Sequence, residues 1–461
     1  GACGTGGMLT VGESCIQNLA ERRGKKVSIN LFGQENFDET YAIACADMLL
    51  KGEGTQVNNI FFGSTISNDG FPKDEFDFML SNPPFGTSWK AELKAWGDIK
   101  KDEITDSRFL IEYDGNPEYS LIPDIGDPQM LFLANNISKM KRNTDLGSRI
   151  IEVHNSSSIS NGSAGSGASN LRRYIIENDL LEAIVALPEN MFYNTGISTF
   201  LWVVTNHKDD QRKGFIQLID ASSLKKPLRK NVGEKNSEIS PEIRKKIIDL
   251  YLAYRDADPN FSKVFNNKEF GYYSADILRP LRLRVDLNDD NVAALNENSK
   301  DKELVGLITL YLDGGHSDKC MDFNAFMREI ENLSKSNGIK LTAKRKKALR
   351  DFLTEIDEAA EAVLDSKGNP EADKNLKDNE QIPLLYEGGI ESYWENEIKP
   401  YVPDSWIDEK SIGIGYELSF TKYFYKPLEL RTPEEIIADI QAVESNTDGL
   451  LASIIGGVKN A

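Results

Sequence analysis

The chain has 461 residues, 40% of them apolar and 28% charged, enough for two or three domains with sizeable cores. It holds no run of about eighteen apolar residues, which excludes a transmembrane helix, and its first stretch lacks the pattern of a signal peptide. A formal net charge of −19 argues against a protein that grips nucleic acid unaided, because phosphates are normally met by an excess of Lys and Arg.

Four cysteines (Cys3, Cys15, Cys45, Cys320) and three histidines (His154, His207, His316) fall at irregular spacings. No metal site is therefore expected, and a reduced cytoplasmic protein is the default. The chain opens on Gly1-Ala2-Cys3-Gly4-Thr5-Gly6-Gly7, a glycine-rich turn, followed by Met8, Leu9, Val11, Cys15, Ile16 and Leu19 at helical spacing. That is the turn-to-helix half of a nucleotide-binding α/β unit, in which glycines let a ligand approach the backbone at a helix N-terminus. A turn of this kind needs a strand to enter it, so the natural N-terminus is expected to lie upstream. A purely structural glycine turn is the alternative.

Val27–Phe32 reads as the next strand and ends in Gly33-Gln34-Glu35. A carboxylate at the end of the second strand is where α/β folds bind the ribose of an adenosine-containing cofactor. Glu35 is one of 73 acidic residues, and its position after the glycines is what singles it out. Asp38 is expected to cap a helix that runs to Leu50 and stops at Gly52. Ile60–Phe62 predicts a third strand, with Ser64 just beyond it.

Phe76–Ser81 predicts a fourth strand, and Asn82-Pro83-Pro84-Phe85 follows it. Two prolines fix φ and remove two N–H donors, leaving an amide side chain, bare carbonyls and an aromatic ring at the strand's end. This set suits a planar amino group, with Asn82 and a proline carbonyl accepting its two N–H bonds and Phe85 covering the ring face. A strand-terminating turn is the alternative. Strand ends of open α/β sheets collect ligands on one rim, so the glycine turn, Glu35 and Asn82 are expected to converge there.

Further along, 127–140 predicts a helix, 149–153 a strand, and the Ser/Gly/Asn-rich 155–170 a flexible loop. Arg172 and Arg173 are expected to open a helix; 181–186 and 199–205 read as strands. Between these two strands, Phe192 and Tyr193 stand in a loop that could stack a base pulled from a duplex, Phe192 being favoured, or pack under the sheet. Gly214–Asp220 is expected to close the sheet. After about residue 222 the chain turns to charged helical segments: 323–333, 343–365 and a last helix at about 433–456. Residues 343–347 form the densest basic cluster, read as a solvated helix face.

Taken together, these motifs resemble the modification (methyltransferase) subunit of Type I restriction–modification systems. The residues that carry the likeness are Gly1–Leu9, Gly33-Gln34-Glu35 with Thr40-Tyr41-Ala42, Asn82–Phe85, Gly165–Gly167 through Asn170–Arg173, Ala186-Leu187-Pro188 with Phe192, Asp276–Arg284 around Arg279-Pro280-Leu281, and Gly415-Tyr416-Glu417 with Phe424-Tyr425. The resemblance implies a Rossmann-like α/β methyltransferase domain over 1–222 and a mostly helical region over 223–461, with an N-terminal helical domain expected upstream. It implies S-adenosyl-L-methionine as cofactor, held by Ala2, Cys3, Gly4, Thr5, Gly6, Gly7, Glu35 and Ser64, although aspartate is frequent where Ser64 stands. It further implies adenine-N6 methylation of DNA by Asn82, Pro83, Pro84 and Phe85. Expected partners are DNA, a specificity subunit contacted by the last helix, a second modification subunit and a restriction subunit, with no membrane. A methyltransferase of glutamine amides or RNA amino groups, and a non-catalytic assembly subunit, are the alternatives.

Overall fold

All six residues of Leu181–Ala186 are buried, which requires cover on both faces of the sheet that holds them. The computed structural model describes residues 1–51, 56–113, 116–193, 195–425, 432–433 and 435–443. Its strands begin with β1 (Gly33–Glu35), β2 (Ile60–Phe62), β3 (Phe78–Ser81) and a hairpin of β4 (Leu110–Tyr113) and β5 (Asn116–Ser120). Then come β6 (Arg149–Asn155), β7 (Leu181–Ala186), β8 (Thr199–Thr205), β9 (Phe215–Asp220), a second hairpin of β10 (Lys226–Val232) and β11 (Lys235–Glu238), and β12 (Ser262–Asn266). The helices among them are α1 (Gly7–Arg22), α2 (Asp38–Leu50), α3 (Lys90–Ala95), α4 (Gln129–Ser138), α5 (Ser157–Ser160), α6 (Gly167–Glu177) and α7 (Pro241–Ala253).

Six strands form the central sheet in the order β12-β9-β7-β8-β6-β3. β3 lies parallel to β6 and β7 parallel to β9, while β8 is antiparallel to both β6 and β7. Hence β3, β6, β7 and β9 all point the same way and share one carboxyl rim. Trp202, Ile150, Ile184, Val204 and Leu218 of the sheet are fully buried, as are Leu131 and Leu133 of α4 and Leu171 and Ile175 of α6. The fold is thus the expected α/β class, a Rossmann-like sheet with helices on both faces.

β1 and β2 stand apart as a parallel pair. The strand expected over 27–32 does not form, and only Gly33–Glu35 finds a ladder partner. Residues 27–32 instead line one side of a cavity of about 510 Å³ whose other side includes 74–80.

Other expectations also change. Phe37, not Asp38, precedes the first turn of α2, and Asp38 accepts from the Glu39 N–H instead; Gly52 lies outside the described residues. The stretch read as a flexible loop holds α5 and the start of α6, fixed by buried Arg172 and by Asn170, whose amide donates to the Ser120 and Gly165 carbonyls. Arg172 and Arg173 accordingly sit inside α6 rather than opening it. β9 does not close the sheet, because β12 pairs antiparallel with its outer edge.

Beyond residue 222, helices α8 (Asp289–Ser299), α9 (Lys302–Asp313), α10 (Phe323–Ser336) and α11 (Ala343–Leu353) surround a second core of Phe326, Leu307, Ile330, Leu349 and Leu353. The helix expected to reach residue 365 stops at Leu353, where the chain pairs at Thr354–Ile356 with Leu283–Asp286. Strands therefore share this region with helices. One structural unit spans Gly1–Leu418, so the expected division at 222/223 falls inside it; Ser419–Ala461 forms a second unit. Residues 435–443 are helical, and the remainder of the expected last helix lies outside the described residues.

Candidate functional site

Gly4 and Gly6 take φ of +59° and +77°, a region that side chains disfavour. The Gly6 N–H closes the turn on the Cys3 carbonyl at 3.0 Å, and α1 starts at Gly7 with no side chain capping it. Its first N–H groups therefore have no intrahelical acceptor. Burial pushes the Cys3 thiol up to about 11, which makes it a packing residue and not a nucleophile.

Glu35 is buried and bonds to this turn. One carboxylate oxygen accepts from the Gly4 N–H at 2.9 Å, the other from Asn36 and Phe37 N–H at 2.9 and 3.0 Å. The Cys3 N–H donates to the Gln34 carbonyl at 2.9 Å, and the Gly63 N–H donates to the Glu35 carbonyl at 2.9 Å. Glu35, the glycine turn and the end of β2 are thereby brought together. Ser64 follows directly, but its hydroxyl donates to Glu92 of α3 at 2.8 Å and accepts from the Ile66 N–H.

The Ser81 hydroxyl donates to the Gly1 carbonyl at 3.1 Å, which ties the end of β3 to the same turn. Asn82 comes next, exposed, and its amide has no hydrogen-bond partner among the described residues. Pro83 is buried, Pro84 exposed and Phe85 half-buried. The two prolines supply no N–H, so their backbone presents acceptors only.

Phe192 and Tyr193 occupy the connection from β7 to β8, on the rim shared with Asn82; Asn194 lies outside the described residues. Phe192 is half-buried and pairs with Thr195, whereas Tyr193 is exposed with the Lys235 ammonium 5.0 Å from its ring. Adjacent strands lie ~4.8 Å apart, so the three steps from β3 to β7 put this loop ~14 Å across the rim from Asn82.

Sequence reasoning missed a buried pair below the rim. Glu152 of β6 lies opposite Ser81 in the ladder, and its Oε1 is 3.4 Å from His154 Nε2. Gln129 fixes the histidine tautomer: its side-chain nitrogen faces Asp127, Asn155 and Ser157, so its oxygen accepts from His154 Nδ1 at 3.0 Å. His154 Nε2 is then an acceptor. Burial pushes the Glu152 carboxyl up to about 8, against the Asn136 hydrogen bond, and His154 down to about 3. The contact is therefore between two neutral groups, a protonated Glu152 beside an uncharged His154, rather than an ion pair. No spacing rule marks such a pair, because one strand's i and i+2 positions look the same whether they face core or solvent.

The N-6 DNA methylase family matches residues 1–272 of the chain. Among curated proteins, the chain is 29% identical over 262 residues to the Type I restriction enzyme MjaIX methylase subunit of Methanocaldococcus jannaschii, covering 56% of this chain and 41% of that protein. It is 25% identical over 270 residues to the Type I restriction enzyme MpnII methylase subunit of Mycoplasma pneumoniae, covering 57% and 44%. The chain thus spans less than half the length of these relatives. The crystal structure of a type I restriction-modification methyltransferase subunit from Streptococcus thermophilus aligns at 19% identity and a TM-score of 0.45, over 58% of this chain and 50% of that one.

Proposed function

The chain belongs to the N-6 DNA methylase family, and on that premise we propose that it is the catalytic part of a Type I modification subunit, methylating N6 of an adenine flipped out of DNA. The observation that supports this most is the free Asn82 amide, followed by two prolines, on the rim that also carries the glycine turn and Glu35. Ala2, Cys3, Gly4, Thr5, Gly6, Gly7, Glu35 and Ser64 would hold S-adenosyl-L-methionine. The donor set fits an adenosine that carries an amino acid: the uncapped N-terminus of α1 offers N–H groups to a carboxylate. Glu35 uses three of its roughly four acceptor positions within the chain and keeps one for a hydroxyl. When bound, the cofactor supplies an electrophilic methyl group on a sulfonium.

The chain's own part is to make a poor nucleophile better. An adenine amino nitrogen shares its lone pair with the ring. Asn82 Oδ1 and the Pro83 carbonyl accept its two N–H bonds and favour the pyramidal nitrogen that attack requires, while Phe85 covers the ring face. Phe192 is the proposed stacking partner for the displaced base. Positioning and preorganised dipoles then carry the rate, with no covalent intermediate on the protein. A net charge of −19 suits a chain whose hold on DNA is shared with a specificity subunit, alongside a second modification subunit and a restriction subunit.

Replacing Asn82 by Ala removes one preorganised acceptor. Methyl transfer is expected to fall by about 10²–10³-fold, with cofactor binding measured by calorimetry unchanged. Full activity in Asn82→Ala overturns the assignment.

A further inference from the structure

We infer that the β10–β11 hairpin is a second contact for nucleic acid, a clamp for the phosphate backbone of the duplex whose base enters the rim. This inference rests on DNA being the substrate. The hairpin departs from the rest of the molecule in charge. In a chain of net −19, residues 225–238 carry Lys225, Lys226, Arg229, Lys230 and Lys235 against two acids, Glu234 and Glu238, the latter opposite Lys226 in the ladder. The first four are exposed, and none of the five forms a salt bridge among the described residues. The denser basic cluster on α11 behaves differently. There Arg345 is bound by Asp301 and Glu303, and Lys346 by Glu331, so two of its four cations are satisfied within the fold.

Packing does not account for the hairpin. Six of the seven residues of β10 are exposed, so it contributes almost nothing to a core. What it has instead is a fixed seat on the rim. It follows β9, whose carboxyl end lies on the same rim as those of β3 and β7. The Glu234 N–H donates to the Tyr193 carbonyl and the Asn236 N–H to the Asn190 carbonyl, each at 3.1 Å. Gly233, at φ +60°, seats its turn so closely that a Cβ there would lie 2.5 Å from the Tyr193 carbonyl oxygen. The hairpin is thus bonded to the loop that carries Phe192.

The spacing suits a duplex. Four strand steps of ~4.8 Å put the base of the hairpin ~19 Å from Asn82 along the rim. Duplex DNA presents one phosphate charge per ~1.7 Å of axis, so a duplex lying across that span brings roughly eleven charges over the rim. Without local cations the acidic surface would repel them.

The test is duplex binding by the full chain as a function of salt, read by fluorescence anisotropy with a target and an unrelated sequence. Lys225→Gln, Lys226→Gln, Arg229→Gln and Lys230→Gln are combined in one variant. Each lost phosphate contact lowers the slope of log affinity against log salt by ~0.9, so the slope should fall by ~3–4, equally for both sequences. A variant with Lys225→Arg, Lys226→Arg and Lys230→Arg should keep the full slope, which separates charge from local folding. An unchanged slope in the glutamine variant, a loss confined to one sequence, or no duplex binding by the unsubstituted chain overturns the clamp. Duplex binding with a hairpin-dependent slope but no methyl transfer sustains the clamp and overturns the adenine assignment. Methyl transfer with hairpin-independent binding does the reverse.

Discussion

Glu152 and His154 give the site's buried floor a defined proton count. In the folded chain the pair holds one proton from about pH 3 to about pH 8, while the unfolded pair titrates near 4.5 and 6.5. Below pH 4.5 the unfolded state binds more protons, so stability rises with pH. Between 4.5 and 6.5 the two states match and the pair contributes no slope. Above 6.5 the folded state holds the extra proton, so stability falls until pH 8. At 1.36 kcal/mol per pH unit the upper fall amounts to roughly 2 kcal/mol. Glu152→Gln keeps the size of the side chain without a titrating proton, and urea melts of this variant should lose that decline. A decline equal to the parent's would contradict the neutral pair.

Glu35 was legible for a different reason. Its distance from the glycine turn set it at the end of a strand, and the structure bonds it to Gly4. Glu35→Gln keeps the size but, with its amide group turned to Gly4, loses that acceptor. Cofactor binding by calorimetry should weaken about tenfold, the cost of one charged hydrogen bond. Unchanged binding would leave Glu35 a structural latch.

At the scale of elements, five of the six strands of the central sheet (β3, β6, β7, β8 and β9) could be read from their apolar runs, whereas the short, half-buried β12, Ser-Lys-Val-Phe-Asn, could not. Nor could the 155–170 stretch. Its Ser, Gly and Asn residues have loop composition, yet the order there comes from Arg172. That guanidinium donates to the Tyr416 carbonyl at 2.6 Å, the Ser158 carbonyl at 3.0 Å and the Asn161 carbonyl at 2.8 Å. Burial lowers its pKa to about 10, which leaves it charged at neutral pH. The partners come from 11, 14 and 244 residues away in sequence, beyond any local pattern. Arg172→Met leaves three carbonyls without this donor and should cost about 3 kcal/mol or more in urea denaturation. A change below about 0.5 kcal/mol would show that water replaces the guanidinium freely.

For the molecule as a whole, composition and charge were informative and domain limits were not. The change after residue 222 is real in composition, but β12 returns to the central sheet and Tyr416 reaches back to α6. Composition also hid the basic hairpin, whose five cations vanish in a total of −19. Only the fold shows that these cations stand on the rim with Asn82. The central claim is that this rim methylates adenine in DNA. Its most direct measurement incubates the chain with methyl-labelled S-adenosyl-L-methionine and equal amounts of duplex DNA, RNA and a glutamine-bearing protein acceptor, then digests each acceptor and separates the products. The account predicts label in N6-methyladenine from DNA, lost in Asn82→Ala. Label in RNA, in a glutamine amide or in no acceptor would contradict it.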